Sequence, residues 1–176
     1  MKRLLFGLTL VLGVSAASGR AGAQPTYAEP TARDIVVAYN TGPRFSIAPG
    51  LIIPASGRVG FSIMGDFRYG IETGPLILAP GARVAGFFPS GSVALTALGT
   101  LRLTVPLGPV GPYVMGGAGP GYVTDPSRAG LAYLGGGGLM VHFGLHFALG
   151  AEATYFAITG TDVRALLVGP SLLLSF

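Results

Sequence analysis

From residue 58 to residue 71 the side chains alternate in character with a period of two. Val59, Phe61, Ile63, Phe67, Tyr69 and Ile71 fall on one side, and Arg58, Ser62, Met64, Asp66 and Arg68 on the other. Period two belongs to an extended strand, where successive side chains point to opposite faces. Residues 92 to 105 repeat the pattern, with Val93, Leu95, Leu101, Leu103 and Val105 against Ser92, Thr96, Thr100, Arg102 and Thr104. In a soluble sheet the polar side faces water. Here the polar side is built mainly of Gly, Ala, Ser and Thr with few charges, which suits a narrow lumen better than a wetted surface. The apolar side is then expected to face outward.

The charge distribution points the same way. Lys2 and Arg3 form a basic start, Leu4 to Val14 is apolar, and Ala21-Gly22-Ala23 precedes Gln24-Pro25. This reads as a signal peptide over 1-23, with cleavage after Ala23 favoured over Ala16. The apolar stretch is shorter than the about 17 to 25 residues a spanning helix needs. Its removal takes Lys2, Arg3 and Arg20 with it and leaves 8 arginines against 7 acids, so most of the basicity goes with the signal. The remaining arginines are scattered singly, which argues against nucleic acid as a partner, because a phosphate-binding surface clusters its cations. A count of 0 cysteines predicts no disulfide, thiolate metal site or lipoprotein anchor.

Only 10% of residues are charged, whereas a soluble protein's surface alone is roughly 25–35% charged. After the signal, Gly, Pro and single charges interrupt every apolar run before it reaches about 18 residues. A chain made for lipid without spanning helices must close its strands into a barrel, so that no backbone group is left unpaired.

Eight segments of suitable length lie between turn residues, at 44-54, 58-71, 76-88, 92-105, 112-123, 131-142, 146-158 and 163-176. The barrel is thus expected over 44-176. Residues 24-43, with Pro25, Pro30 and Pro43, read as a mostly irregular arm, or over Ile35 to Tyr39 as an extension of the first strand. The glycines between Gly116 and Gly121 mark a bulge, a sharp bend or close packing in the fifth segment.

The last segment places Leu166, Val168, Pro170, Leu172 and Leu174 on one face and ends at Phe176. A terminal phenylalanine after Leu172 and Leu174 resembles the assembly signal of bacterial outer-membrane barrels. With the strand count and the alternation, the chain after the signal resembles the small eight-stranded outer-membrane barrels, such as the OmpA transmembrane domain and the OmpX-like proteins. The resemblance implies an all-β fold: an eight-stranded antiparallel up-and-down transmembrane β-barrel behind a cleavable signal peptide. It also implies export through the Sec pathway and a place in the outer membrane of a Gram-negative bacterium. The implied partners are outer-membrane lipid and, during biogenesis, periplasmic chaperones and the barrel-assembly machinery. On this topology Phe45, Tyr69, Tyr113, Phe147 and Phe176 lie near the inner rim and Phe61, Phe88, Tyr122, Tyr133 and Tyr155 near the outer one, as two aromatic girdles. The outer connections are short, the longest being about Thr124 to Gly130, which departs from the family and argues against adhesion or receptor roles.

Some barrels of this resemblance are lipid A deacylases or acyltransferases, whose chemistry needs a nucleophile or polarised His near the outer leaflet. His142 and His146 flank a turn at the opposite rim, without a serine beside them and with Glu152 as the nearby carboxylate. They are read as residues of the lumen mouth, and no third group completes a metal site. The run Gly135 to Gly138 lacks the following Lys and helix of a phosphate loop and is read as wall packing. No enzymatic activity, cofactor or metal is expected.

Asp66, Arg68, Arg83, Arg102 and Glu152 are the charges expected inside the barrel. Buried charge is costly unless paired, so they are expected to form a network that plugs the lumen. Asp66 is expected opposite Gly81 and diagonal to Arg83, and the third strand faces the seventh across the axis. Arg83 is therefore expected to bridge Asp66 and Glu152, with Arg68 and Arg102 bracketing them toward the periplasm. The function expected is a structural role in membrane integrity. The alternatives are a binding or transport barrel for a small ligand, which a lumen cavity would favour, and an outer-leaflet lipid-modifying enzyme.

Overall fold

Eight strands occupy the alternating segments: β1 (Gly42–Pro54), β2 (Gly60–Thr73), β3 (Leu76–Phe88), β4 (Ala94–Thr104), β5 (Val110–Thr124), β6 (Ser127–His142), β7 (Phe147–Ile158) and β8 (Arg164–Leu174). The computed structural model describes residues 30–55, 58–88, 92–143 and 147–174. The signal peptide, His146 and Phe176 lie outside these residues, as does the side chain of Leu174. Each strand pairs antiparallel with the next, and β8 pairs back onto β1 to close the barrel. Closure removes the unpaired edges that an open sheet would expose to lipid. Stepping from partner to partner around the wall starts at Phe45 and returns to Ala55, further along β1, which is the stagger of a barrel with tilted strands.

The side chains are inverted relative to a soluble barrel. Phe61, Ile63, Phe67, Tyr69 and Ile71 of β2 are exposed on the outer surface, while Ser62, Met64, Asp66 and Arg68 are buried inside. Leu95, Leu101 and Leu103 of β4 and Leu166, Val168 and Leu172 of β8 point outward in the same way. Phe45, Tyr69 and Phe147 are exposed toward one end, and Phe61, Phe88, Tyr122, Tyr133 and Tyr155 toward the other. Tyr113 departs from the expected girdle. It shares the inward parity of Met115 and Val123 on β5 and is only 4% exposed.

The glycine-rich part of β5 contains no bulge, since its register with β6 runs unbroken from Val110 opposite Val141 to Thr124 opposite Ser127. Close packing explains the composition: a Cβ at Gly119 would collide with the Ala97 carbonyl of β4. Gly135 to Gly138 lie in the middle of β6.

Residues 24-43 were expected to be mostly irregular, or extended over Ile35 to Tyr39. Instead Ala32–Asn40 form a helix, α1, and β1 begins at Gly42. Thr31 caps the helix: its hydroxyl accepts from the Asp34 amide, and the Asp34 carboxylate accepts from the Thr31 amide. The Thr31 hydroxyl also donates to Asp34 Oδ2 at 2.7 Å, and this bond first and the Thr31 amide second hold the Asp34 carboxyl below its ordinary value. At the other terminus Arg44 donates to the Tyr39 and Ala38 carbonyls, placing a cation where the helix leaves acceptors unpaired. The short apolar period was masked in the sequence by flanking prolines. What forms the helix is a place to bury Val36, Tyr39 and Asn40, all three of which are buried. That place is the lumen mouth beside the start of β1, and Gly70 of β2 makes room for it, because a Cβ there would overlap the Asn40 carbonyl.

Candidate functional site

Two ends of the lumen can now be distinguished, the helix end closed by α1 and the far end where Ala55, Asp125 and Thr161 lie. Between them the inward positions of β2, β3, β4 and β7 bring five charges together. Asp66 is paired directly opposite Arg83 in the β2–β3 ladder, and Arg68 is opposite Gly81. The expected register was thus two residues out, and the Asp66–Arg83 contact is lateral rather than diagonal.

Arg83 spans the lumen. Its Nε donates to Asp66 Oδ1 at 2.7 Å, while Nη1 and Nη2 donate to Glu152 Oε1 and Oε2 at 2.6 and 3.1 Å. One guanidinium thereby ties β2 and β3 to β7 on the opposite wall, with a bidentate pairing that fits the planar fork. Asp66, Arg83 and Glu152 are 5%, 2% and 5% exposed, so these bonds form out of water. Met64 and Met115 place their Sδ atoms at 3.6 and 3.5 Å from the Arg83 Nη groups and fill the remaining space.

Arg68 and Arg102 lie on the helix side of this bridge. Arg68 Nη1 donates to the Ser46 hydroxyl at 3.2 Å. Arg102 rests on the Tyr113 ring, its Cζ 3.3 Å from the ring centroid, and Tyr113 donates its hydroxyl to Glu152 Oε2 at 2.9 Å. Tyr113 therefore joins the network twice, once through its π face and once through its hydroxyl. The sequence reading missed it. Its parity with Met115 was the available signal, obscured because the neighbouring glycines carry no side chain to mark a face.

The helix end is closed by a second set of contacts. Tyr39 donates its hydroxyl to the Leu173 carbonyl of β8, and burial pushes its phenol up, which keeps the donor protonated. Asn40 Nδ2 lies 2.8 Å from His142 Nε2, and the Tyr39 and His142 rings meet edge to face at 5.0 Å. His142 is therefore a buried contact of α1 at the lumen mouth. Among the described residues no group of three His, Cys, Asp or Glu is placed to hold a metal.

At the far end large apolar side chains face inward, with the buried hydroxyl residues Ser62, Thr96 and Thr154 among them. The Phe87 and Phe156 rings meet at 4.3 Å, tilted by 34°, with Leu98, Leu134 and Leu167 also buried in this core. Above them is a cavity of about 320 Å³ whose lining includes Ile52, Val123, Ala165 and the charged residues Arg58, Asp125, Arg128, Asp162 and Arg164.

No protein-family model and no curated protein matches the sequence. Solved structures do. Neisserial surface protein A matches with a TM-score of 0.57 and 15% identity, over 76% of this chain and 96% of that one. The outer membrane enzyme PagL matches with a TM-score of 0.52 and 11% identity, over 77% and 100%. The attachment invasion locus protein Ail of Yersinia pestis matches with a TM-score of 0.49 and 18% identity, over 76% and 99%. At these identities the likeness is one of fold. The fold is that of the small eight-stranded outer-membrane β-barrels, a class that includes both an enzyme and a surface protein.

Proposed function

We propose that this protein is an integral outer-membrane barrel with a structural, membrane-integrity role and a lumen closed to solutes. The observation that carries this reading is the Arg83 bridge, which crosses the lumen from Asp66 on β2 to Glu152 on β7. The α1 plug below it and the Phe87–Phe156 pair above it support the same reading. An eight-stranded barrel has an interior that side chains can fill, and the bridge fits that expectation. The outward apolar surface fits outer-membrane lipid as the surrounding solvent. The signal at 1-23 supports Sec export from a Gram-negative cytoplasm. Phe176 with Leu174 and Leu172 supports handling by periplasmic chaperones and the barrel-assembly machinery.

A non-catalytic role fits the lipid face. A shallow groove there, about 510 Å³, is lined by Phe45, Ile63, Val84, Phe88, Leu95 and other mainly apolar residues. Its single hydroxyl residue, Thr96, points into the lumen and is buried.

Protein extracted from outer membranes and added to planar bilayers is expected to give little or no porin-sized conductance. Large, reproducible single-channel steps would overturn the closed-lumen reading, and recovery of the mature chain from the soluble periplasm would overturn the membrane one.

A further inference from the structure

The described residues carry charge in three places: around α1, in the lumen cluster, and around the far-end cavity. Each of the first two is held by ion pairs, although Arg68 Nη2 and Arg102 Nε and Nη2 in the lumen cluster have no hydrogen-bond partner. The third is not, since no ion pair among the described residues joins Arg58, Arg128 or Arg164 to Asp125 or Asp162. Strand parity turns Arg128 inward, in phase with Ala132 on β6, while Arg58, just before β2, and Arg164, at the start of β8, also line the cavity. Arg128 is held at the rim by one bond, Nη1 to the Gly160 carbonyl at 3.3 Å, which leaves most of its donors free.

The floor has the opposite character. Ile52, Val123 and Ala165 are buried and offer no polar side-chain atom, and the Phe87–Phe156 pair lies beneath them. The cavity is therefore blind. A solute can enter from the far end but meets the Phe87–Phe156 pair and then the Arg83 bridge. About 320 Å³ lies at the lower end of the range for small-molecule sites, roughly 300–1,000 Å³. An apolar base with a few convergent polar groups at its mouth is the usual composition of such a site.

We propose that the far-end cavity binds a small amphipathic anion, its carboxylate or phosphate held by Arg58 and Arg128 and its apolar body seated on Ile52, Val123 and Ala165. Three arginines against two aspartates favour an anion over a cation. Guanidinium forks match the oxygens of a carboxylate or phosphate in pairs. The apolar floor selects against a bare inorganic anion, which would lose water there without gaining a partner. The strands of the wall separate the cavity from surrounding lipid, so the ligand is a soluble molecule arriving along the barrel axis. The site is one of capture and not of passage, and it is independent of whether the barrel's main role is structural.

The test uses the mature protein in nanodiscs with isotope-labelled Ile, Val and Ala methyls, titrated with phenyl phosphate. Saturable shifts are expected at Ile52, Val123 and Ala165, with inorganic phosphate alone and neutral benzyl alcohol each binding at least about tenfold more weakly. The double variant Arg58→Gln, Arg128→Gln should lose about tenfold or more for phenyl phosphate while leaving the floor methyl positions of the free protein unchanged. If that variant fails to assemble, Arg128→Gln alone should still lose about threefold or more. Absence of saturable shifts, shifts spread over outward-facing methyls, or equal affinity in wild type and variants would overturn the proposal. A conducting but anion-binding barrel would overturn only the closed-lumen reading.

Discussion

At the helix end of the lumen most charged and polar groups hold one another, with Arg102 Nε and Nη2 unpartnered over the Tyr113 ring, whereas at the far end they surround a cavity and hold almost nothing. Arg83, Glu152, Asp66 and Tyr113 form one connected set in the middle and lower lumen, and α1 seals it through Tyr39, Asn40 and His142. Above that set, Phe87 and Phe156 close the lumen by apolar packing, and the arginines beyond them are exposed. The difference is one of dielectric. A charge sealed inside a wall of strands must find its partner within the protein, while a charge at an open mouth keeps its water and can wait for a ligand.

The comparison breaks most readily at Glu152. Glu152→Ala leaves two guanidinium nitrogens and the Tyr113 hydroxyl without their acceptor, and unfolding in urea from lipid vesicles should show a loss of about 3–5 kcal/mol. Adding Arg83→Ala should cost less than the sum of the two single changes, because the second removes a charge the first has already stranded. Strict additivity would mean that the bridge is not an energetic unit.

A smaller effect is expected at the plug. Tyr39→Phe removes the donor to the Leu173 carbonyl and leaves the ring in place, at a cost of about 1 kcal/mol. Amides of α1 should then exchange with solvent about fivefold faster, while those of β3 and β7 beside the bridge stay unchanged. Uniform acceleration throughout the barrel would show that plug and wall open together and would erase the distinction between them.

The smallest effect is the response of α1 to acid. The Asp34 carboxyl is held below its ordinary value of 3.8 by Thr31, so its ionised form favours the capped helix. That contribution is complete above the ordinary value and disappears as the pH falls through the lowered one. Exchange at the first turn of α1 should therefore quicken in acid below about pH 4, and Asp34→Asn should flatten this dependence. An unchanged pH profile in the variant would remove Asp34 from the account.

Alternation alone determined that this chain forms outward-apolar strands and where most of them begin and end. Phe61, Ile63 and Phe67 against Ser62, Met64 and Asp66 leave no other assignment, because a one-residue slip would expose every charge to lipid. The same parity placed Asp66, Arg68, Arg83, Arg102 and Glu152 inside. It did not fix their partners. The β2–β3 stagger depends on how the turn at Gly74 and Pro75 closes, and a shift of two residues preserves every face while changing who meets Arg83. Tyr113 was lost among glycines that carry no facing information. The helix at Ala32–Asn40 was invisible for a different reason: so short a segment is not stable on its own pattern. It exists because the closed barrel offers a mouth of the right width, with Gly70 cut away to admit its backbone, and that mouth is a property of eight strands together and of no stretch of sequence.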